Sequence, residues 1–126
     1  LTRGQKRPDL LCAVPMTRRA LRRRGLNQSA FIARLVSRKL GIPVKISVLK
    51  KDRDTDQQST LSARKRRKNL IKAFYCKQRL DGQHIALVDD ILTTGATANE
   101  ISKILKAAGA ARVDIWVCAR TGNASD

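Results

Sequence analysis

Ile85-Ala86-Leu87-Val88-Asp89-Asp90-Ile91-Leu92-Thr93-Thr94-Gly95-Ala96-Thr97 is the stretch on which the reading of this chain turns. Its first four residues form a continuous apolar run, the pattern of a strand buried on both faces. After it, Ala98, Ile101, Leu105 and Ala108 recur at helical spacing, and Gly109 suits a helix stop. Strand, tight connection and helix make the unit of an open α/β sheet, in which ligands gather at the carboxyl ends of strands beside helix N-termini. Thr93, Thr94 and Thr97 supply hydroxyls there, and Gly95 lets the backbone turn so that its N–H groups converge. With the positive end of the helix dipole behind them, these donors make a cradle for a phosphate dianion. Asp89 and Asp90 repel a phosphate. They suit hydroxyl donors, such as the vicinal diol of a sugar, or a divalent cation. A phosphate cup next to a diol reader describes a ribose 5-phosphate. Capping alone does not account for two adjacent carboxylates followed by three threonines and a glycine. The chain has neither a Gly-x-x-x-x-Gly-Lys-Thr loop nor a Gly-x-Gly-x-x-Gly, which disfavours an ATPase or a dinucleotide enzyme.

The rest of the chain alternates in the same way. Leu10 to Val14 is an apolar run stopped by Pro15, as a buried strand is. Asn27 can cap a helix to about Leu40, with Phe31, Ile32, Leu35, Val36 and Leu40 as its inner stripe, Arg34, Arg38 and Lys39 as its wet face, and Gly41 then Pro43 as its stop. Val44 to Leu49 reads as a second strand, residues 50–61 as a polar loop, Ser62–Lys68 as a short basic helix and Val113 to Ala119 as a last strand. Strands apolar on both faces, separated by amphipathic helices, predict a mainly parallel twisted sheet with helices on both faces.

The 126 residues are one domain's worth, and their 42% hydrophobic content suffices for one modest core. No run approaches the roughly 18–20 apolar residues of a membrane helix, and no signal segment opens the chain. Cys12, Cys76 and Cys118 are odd in number and far apart, which fits a reducing cytoplasm rather than a disulfide framework and offers no zinc site. The net charge of +17 is unevenly spread: residues 1–79 carry 23 basic and four acidic side chains, residues 80–126 four and six. Arg18, Arg19, Arg22, Arg23 and Arg24, and the run Arg64-Lys65-Arg66-Arg67-Lys68, are clusters suited to a polyanion. His84, the only histidine, has no partner motif and is read as structural.

With these residues in view, Ile85 to Thr97 resembles the phosphoribosyl pyrophosphate (PRPP) loop of type I phosphoribosyltransferases. More narrowly, the chain resembles the competence-associated ComF family, linked with DNA uptake. Val14-Pro15, Arg18-Arg19 and Arg22 to Gln28 are similar to that family's first motif; Thr55, Gln58, Leu61, Arg64, Arg67, Asn69, Ala73 and Phe74 to its second; the PRPP loop is the third. The resemblance covers nearly all of residues 1–126 as a single phosphoribosyltransferase-like domain, without the cysteine-rich zinc module with which ComF proteins usually begin.

The resemblance implies a type I phosphoribosyltransferase fold and a role for each matched residue. Asp89 and Asp90 would hold the ribose 2′- and 3′-hydroxyls, and Thr93, Thr94, Gly95, Ala96 and Thr97 the 5-phosphate. The turn from Met16 to Arg19 would be the pyrophosphate loop, with Arg18 and Arg19 as anion ligands. Gln58, Arg64 and Arg67, on a catalytic loop from Lys50 to Asn69, would close over the leaving pyrophosphate. Magnesium would arrive chelated by that pyrophosphate, with no protein metal ligands. The implied activity is transfer of the phosphoribosyl group to a nitrogen of an acceptor that the sequence does not identify. The alternative is a PRPP sensor without catalysis, or a single-stranded DNA-binding protein using Arg22, Arg23, Arg24, Arg66 and Lys68. The four aromatic residues weaken the DNA reading, because Phe31 and Trp116 occupy periodic core positions. The partners implied are PRPP, single-stranded DNA and DNA-uptake machinery such as a helicase, with no membrane insertion.

Overall fold

The computed structural model describes residues 6–52, 73–92 and 95–120. In chain order these form β1 (Leu10–Ala13), α1 (Arg18–Arg24), α2 (Gln28–Leu40), β2 (Leu49–Lys51), β3 (Phe74–Cys76), β4 (His84–Leu92), α3 (Ala96–Ala107) and β5 (Arg112–Arg120). β1, β4 and β5 make a parallel sheet in the order β1-β4-β5, with Leu10 opposite Ile85 and Ile85 opposite Val113.

The strict alternation of a strand divides the apolar runs between two layers. Leu10, Cys12, Ile85, Leu87 and Val113 pack with Ala98, Ile101 and Leu105 of α3 on one face. On the other, Ala13 and Val88 pack with Ala30 and Ala33 of α2, while Leu11 and Ala86 pack with Val36, Leu40, Ile42 and Trp116. The parallel sheet with helices on both faces is therefore as predicted. Leu11, Ile85, Leu87, Ile101 and Leu105 are at most 0% exposed, and burial of each such side chain is worth about 1.5–3 kcal/mol.

α2 keeps its predicted limits for the predicted reasons. Asn27 Oδ1 accepts from Ala30 N–H at 3.1 Å, a cap worth about 1 kcal/mol, and Gly41 ends the helix in the left-handed region at φ 70°. Its inner stripe differs. Ser29, Ala30 and Ala33 are buried, whereas Phe31 and Leu35 stand in solvent at 48% and 44% exposure. At about 100° per residue, Phe31 points some 160° away from Ala33, and the small side chains let the helix lie close on β1 and β4.

The expected strand from Val44 to Leu49 is also divided. Val44 makes only an isolated parallel bridge with Leu11, the chain then turns, and β2 begins at Leu49. β2 pairs antiparallel with β3 in a separate two-stranded ribbon, Leu49 opposite Cys76 and Lys51 opposite Phe74. Lys50 and Lys51, read as loop, thus belong to a strand, and Asp52 N–H donates to Ala73 O at 2.9 Å. The basic helix expected over Ser62–Lys68 lies outside the described residues.

Candidate functional site

β4 does not stop at Val88. It runs to Leu92 against β5, with Asp89 opposite Val117, while β1 leaves it one step after Val88, where Val14 N–H donates to Val88 O at 3.0 Å. Asp89 and Asp90 therefore lie on a strand paired on one side and released on the other, because Pro15 turns the chain away from β1. The N-terminal turn of α2 fills the released side. Asn27 Nδ2 donates to Val14 O at 3.2 Å, and the buried Ser29 Oγ accepts from Asp90 N–H at 3.1 Å. Ser29 Oγ also lies 3.4 Å from Asp89 Oδ1 and 3.4 Å from Asp90 Oδ1.

Burial, then the hydrogen bond and like charge of Asp90, push the Asp89 carboxyl up to about 6, and the Ser29 hydroxyl and the Asp90 amide pull it partly back. Asp89 thus holds its proton more readily than a free carboxyl does. Such a pair is a concentrated acceptor for neighbouring hydroxyls.

Downstream, Gly95 sits at φ 82°, a conformation that L side chains rarely adopt, and α3 starts at once with Asn99 N–H donating to Gly95 O at 2.8 Å. Among the described residues, N-cap Gly95 gives α3 no side-chain cap and the first turn carries no acidic residue, so no negative charge of that turn opposes an anion at the positive end of the helix dipole. Gly95, Ala96 and Thr97 are half-buried there. Thr93 and Thr94 lie outside the described residues, as do Gln58, Arg64, Arg66, Arg67 and Lys68. The acidic pair in the second half of β4 and the α3 N-terminus that follows it thus lie at the carboxyl end of the strand.

Arg18 and Arg19 are placed differently from a free loop. Thr17 Oγ1 accepts from Ala20 N–H at 3.0 Å, so both arginines stand in the first turn of α1, exposed. Arg22, Arg23 and Arg24 close the same helix at its negative end and are also exposed. None of the five has a carboxylate within ion-pair distance among the described residues. His84 sits at the other end of β4, about 16 Å along the strand from Asp89. Its Nε2 lies 2.7 Å from Asp114 Oδ2, and Arg112 Nε donates to Asp114 Oδ1 at 3.0 Å. Burial works against the Asp114 charge, but these two bonds outweigh it and hold the carboxyl below its usual range. That cluster ties β4 to β5 and has no part in the site.

Comparison with known proteins bears on this geometry. A family model described as a phosphoribosyl transferase domain matches residues 26–125. The chain belongs to that family. This phosphoribosyl transferase domain is 39% identical over 120 residues to the DNA utilization protein YhgH of Escherichia coli K12 and 38% identical over 122 residues to competence protein F of Haemophilus influenzae. These alignments cover 95% and 94% of the chain but 53% of each relative, so the chain spans about half the length of the curated relatives it matches. The resemblance to competence-associated proteins thus holds. Among solved structures, the fold is similar to a purine phosphoribosyltransferase from Pyrococcus horikoshii, with a TM-score of 0.54 at 17% identity over 90% of this chain and 71% of that one. An adenine phosphoribosyltransferase from Thermoanaerobacter pseudethanolicus gives 0.52 at 16% identity over 94% and 73%. The type I phosphoribosyltransferase fold expected from the sequence is the fold observed.

One member of the candidate site escaped the sequence. Ser29 is 60 residues from Asp89, and its only signal was its place two residues after a helix-capping Asn27, just past the first arginine cluster.

Proposed function

We propose that this domain binds PRPP with magnesium and transfers its phosphoribosyl group to a nitrogen acceptor, in a protein connected with DNA uptake. The observation that carries the reading is the acidic pair on the released side of β4, ahead of Gly95 and the N-terminus of α3. Asp89 and Asp90 accept hydrogen bonds from the ribose 2′- and 3′-hydroxyls, and the segment from Thr93 to Thr97 holds the 5-phosphate. Arg18 and Arg19 meet the pyrophosphate, and Gln58, Arg64 and Arg67 close over it. The bond from the anomeric carbon to the pyrophosphate oxygen breaks with its electron pair on the leaving group, and an acceptor nitrogen lone pair forms the new bond. The arginines act electrostatically, on charge that grows as pyrophosphate departs.

Magnesium, when bound, neutralises part of that charge. Among the described residues no group of three His, Cys, Asp or Glu side chains could hold a metal ion, and in this reading the cation is held by the pyrophosphate that chelates it. The odd number and wide spacing of Cys12, Cys76 and Cys118 in the sequence are what support a cytoplasmic setting. Among the described residues no helix is long and apolar enough to cross a membrane.

Calorimetric titration with PRPP, with and without magnesium, tests the reading. Magnesium-dependent binding is expected, and absence of binding overturns it. Saturating PRPP is also expected to slow tryptic cleavage between Lys50 and Asn69. Unchanged cleavage removes Gln58, Arg64 and Arg67 from the assigned roles.

A second reading, binding of single-stranded DNA, is favoured by a specific observation. Phe31 is 48% and Tyr75 45% exposed, so two aromatic rings stand in solvent, and Phe31 shares its helix face with the exposed Arg34 and Arg38. Rings beside arginines are the elements of a base-stacking and phosphate-binding surface. Arg22, Arg23, Arg24, Arg66 and Lys68 are the phosphate ligands of this reading. Either activity fits a partner in DNA-uptake machinery.

A further inference from the structure

In a parallel ladder that continued past Val88, Asp90 N–H would donate to Val14 O. The N-terminal turn of α2 replaces that rung with two side-chain bonds. Val14 O receives Asn27 Nδ2 instead, and Asp90 N–H donates to Ser29 Oγ. The Ser29 hydroxyl is thus fixed on one side by the main chain of β4 and on the other by its own helix. Its proton has two acceptors at equal distance, Asp89 Oδ1 and Asp90 Oδ1, both 3.4 Å away. A buried hydroxyl between two like-charged carboxyls does more than satisfy an amide: its one proton is shared between, or alternates between, the two and keeps both within reach of one point. A vicinal diol presents two O–H donors on adjacent carbons and needs two acceptors at a set spacing.

We propose that Ser29 is a positioning residue for the ribose diol, setting the spacing and orientation of the Asp89 and Asp90 carboxyls by bridging both to the amide of Asp90. This rests on the reading of the pair as the ribose site of PRPP. A role limited to satisfying the Asp90 amide would change stability and leave ligand discrimination alone. Burial and the Asp90 carboxyl oppose the ionised form of Asp89, and the Ser29 hydroxyl and the Asp90 amide favour it.

The test is calorimetry on Ser29→Ala and on Ser29→Cys, which keeps a weaker hydrogen-bond donor at the same position. Each is titrated with PRPP and separately with pyrophosphate, both with magnesium, after circular dichroism has shown a folded state. PRPP affinity is expected to fall about tenfold in the alanine variant and about threefold or more in the cysteine variant, with pyrophosphate affinity within about twofold of the parent. The pH at which PRPP binding fades on acidification is expected to move upward. If a parent that binds PRPP yields folded variants that bind both ligands as it does, or lose both equally, the positioning role is overturned and the functional reading stands. If the parent binds no PRPP, the functional reading itself fails. Should neither variant fold, amide exchange of the unaltered protein decides: PRPP is expected to slow exchange at Asp90, and no change overturns the role.

Discussion

Asp89 is a carboxyl whose surroundings oppose its charge, and two measurements follow from that. Its folded-state value of about 6 lies above the ordinary 3.8, so the folded protein holds the proton more tightly than the unfolded chain. The resulting stabilisation is complete below pH 3.8 and is lost as the pH rises through about 6. At neutral pH the ionised group therefore costs stability, roughly 2–3 kcal/mol at most at 1.36 kcal/mol per unit. Asp89→Asn is expected to raise the melting temperature at pH 7.5 by several degrees relative to the parent and to lose that advantage at pH 4. A lower melting temperature at pH 7.5 would contradict the assignment. Affinity for PRPP in the parent is expected to weaken as the pH falls through about 6, because a protonated Asp89 accepts less well from a ribose hydroxyl. Changing Asp89 and Asp90 together to Asn is expected to lower PRPP affinity at least tenfold, since each charge-assisted bond is worth about 1.5–3 kcal/mol. DNA binding is not expected to fall in that variant, as two negative charges are gone. Parent-like PRPP affinity there would remove the central assignment.

At the scale of elements, α2 shows what periodicity can and cannot tell. Its ends were legible because Asn27 and Gly41 act through local backbone geometry, and the strands at 10–13 and 112–120 and the first half of that at 84–92 because apolar runs are local too; the extension of β4 past Val88 depends on its pairing with β5. Its buried face was not. Apolar side chains marked Phe31 and Leu35 as core, yet the closeness of β1 and β4 gave that place to Ser29, Ala30 and Ala33. β3 was missed and β2 shifted because a three-residue ribbon is defined by its partner, not by its own pattern. In the site the same division holds: Asp89, Asp90 and Gly95 sit in one contiguous motif, whereas Ser29 enters through a contact that only the packed sheet creates. The exposure of Phe31 has a direct test. Phe31→Ala is expected to change stability by no more than about 0.5 kcal/mol, as befits a surface site. If the ring stacks a base, single-stranded DNA affinity, followed by fluorescence anisotropy, is expected to fall about fivefold or more. Unchanged affinity withdraws Phe31 from the DNA surface.

For the whole molecule, charge and sheet order matter most. From Leu10 to Lys51 there are eleven basic residues and no acidic one, so β1, α1 and α2 present a field of one sign. Replacing Arg22, Arg23 and Arg24 by Ala is expected to weaken single-stranded DNA binding and to reduce the slope of log affinity against log salt by up to about 2. An unaltered slope would show that these three touch no phosphate.

The register of the central sheet pairs Leu10 with Ile85 and Ala13 with Val88. A nascent chain therefore carries the Leu10–Ala13 strand, with the basic α1 and α2 sequences following it, and about seventy residues separate that strand from the start of its partner. At about 5–20 residues per second that delay lasts several seconds, during which an apolar strand edge and a cationic segment are exposed together. Pairing of such sequence-distant strands also makes for slow closure once synthesis ends. The period of greatest vulnerability for this fold is thus on the ribosome, where an anionic surface is never far away.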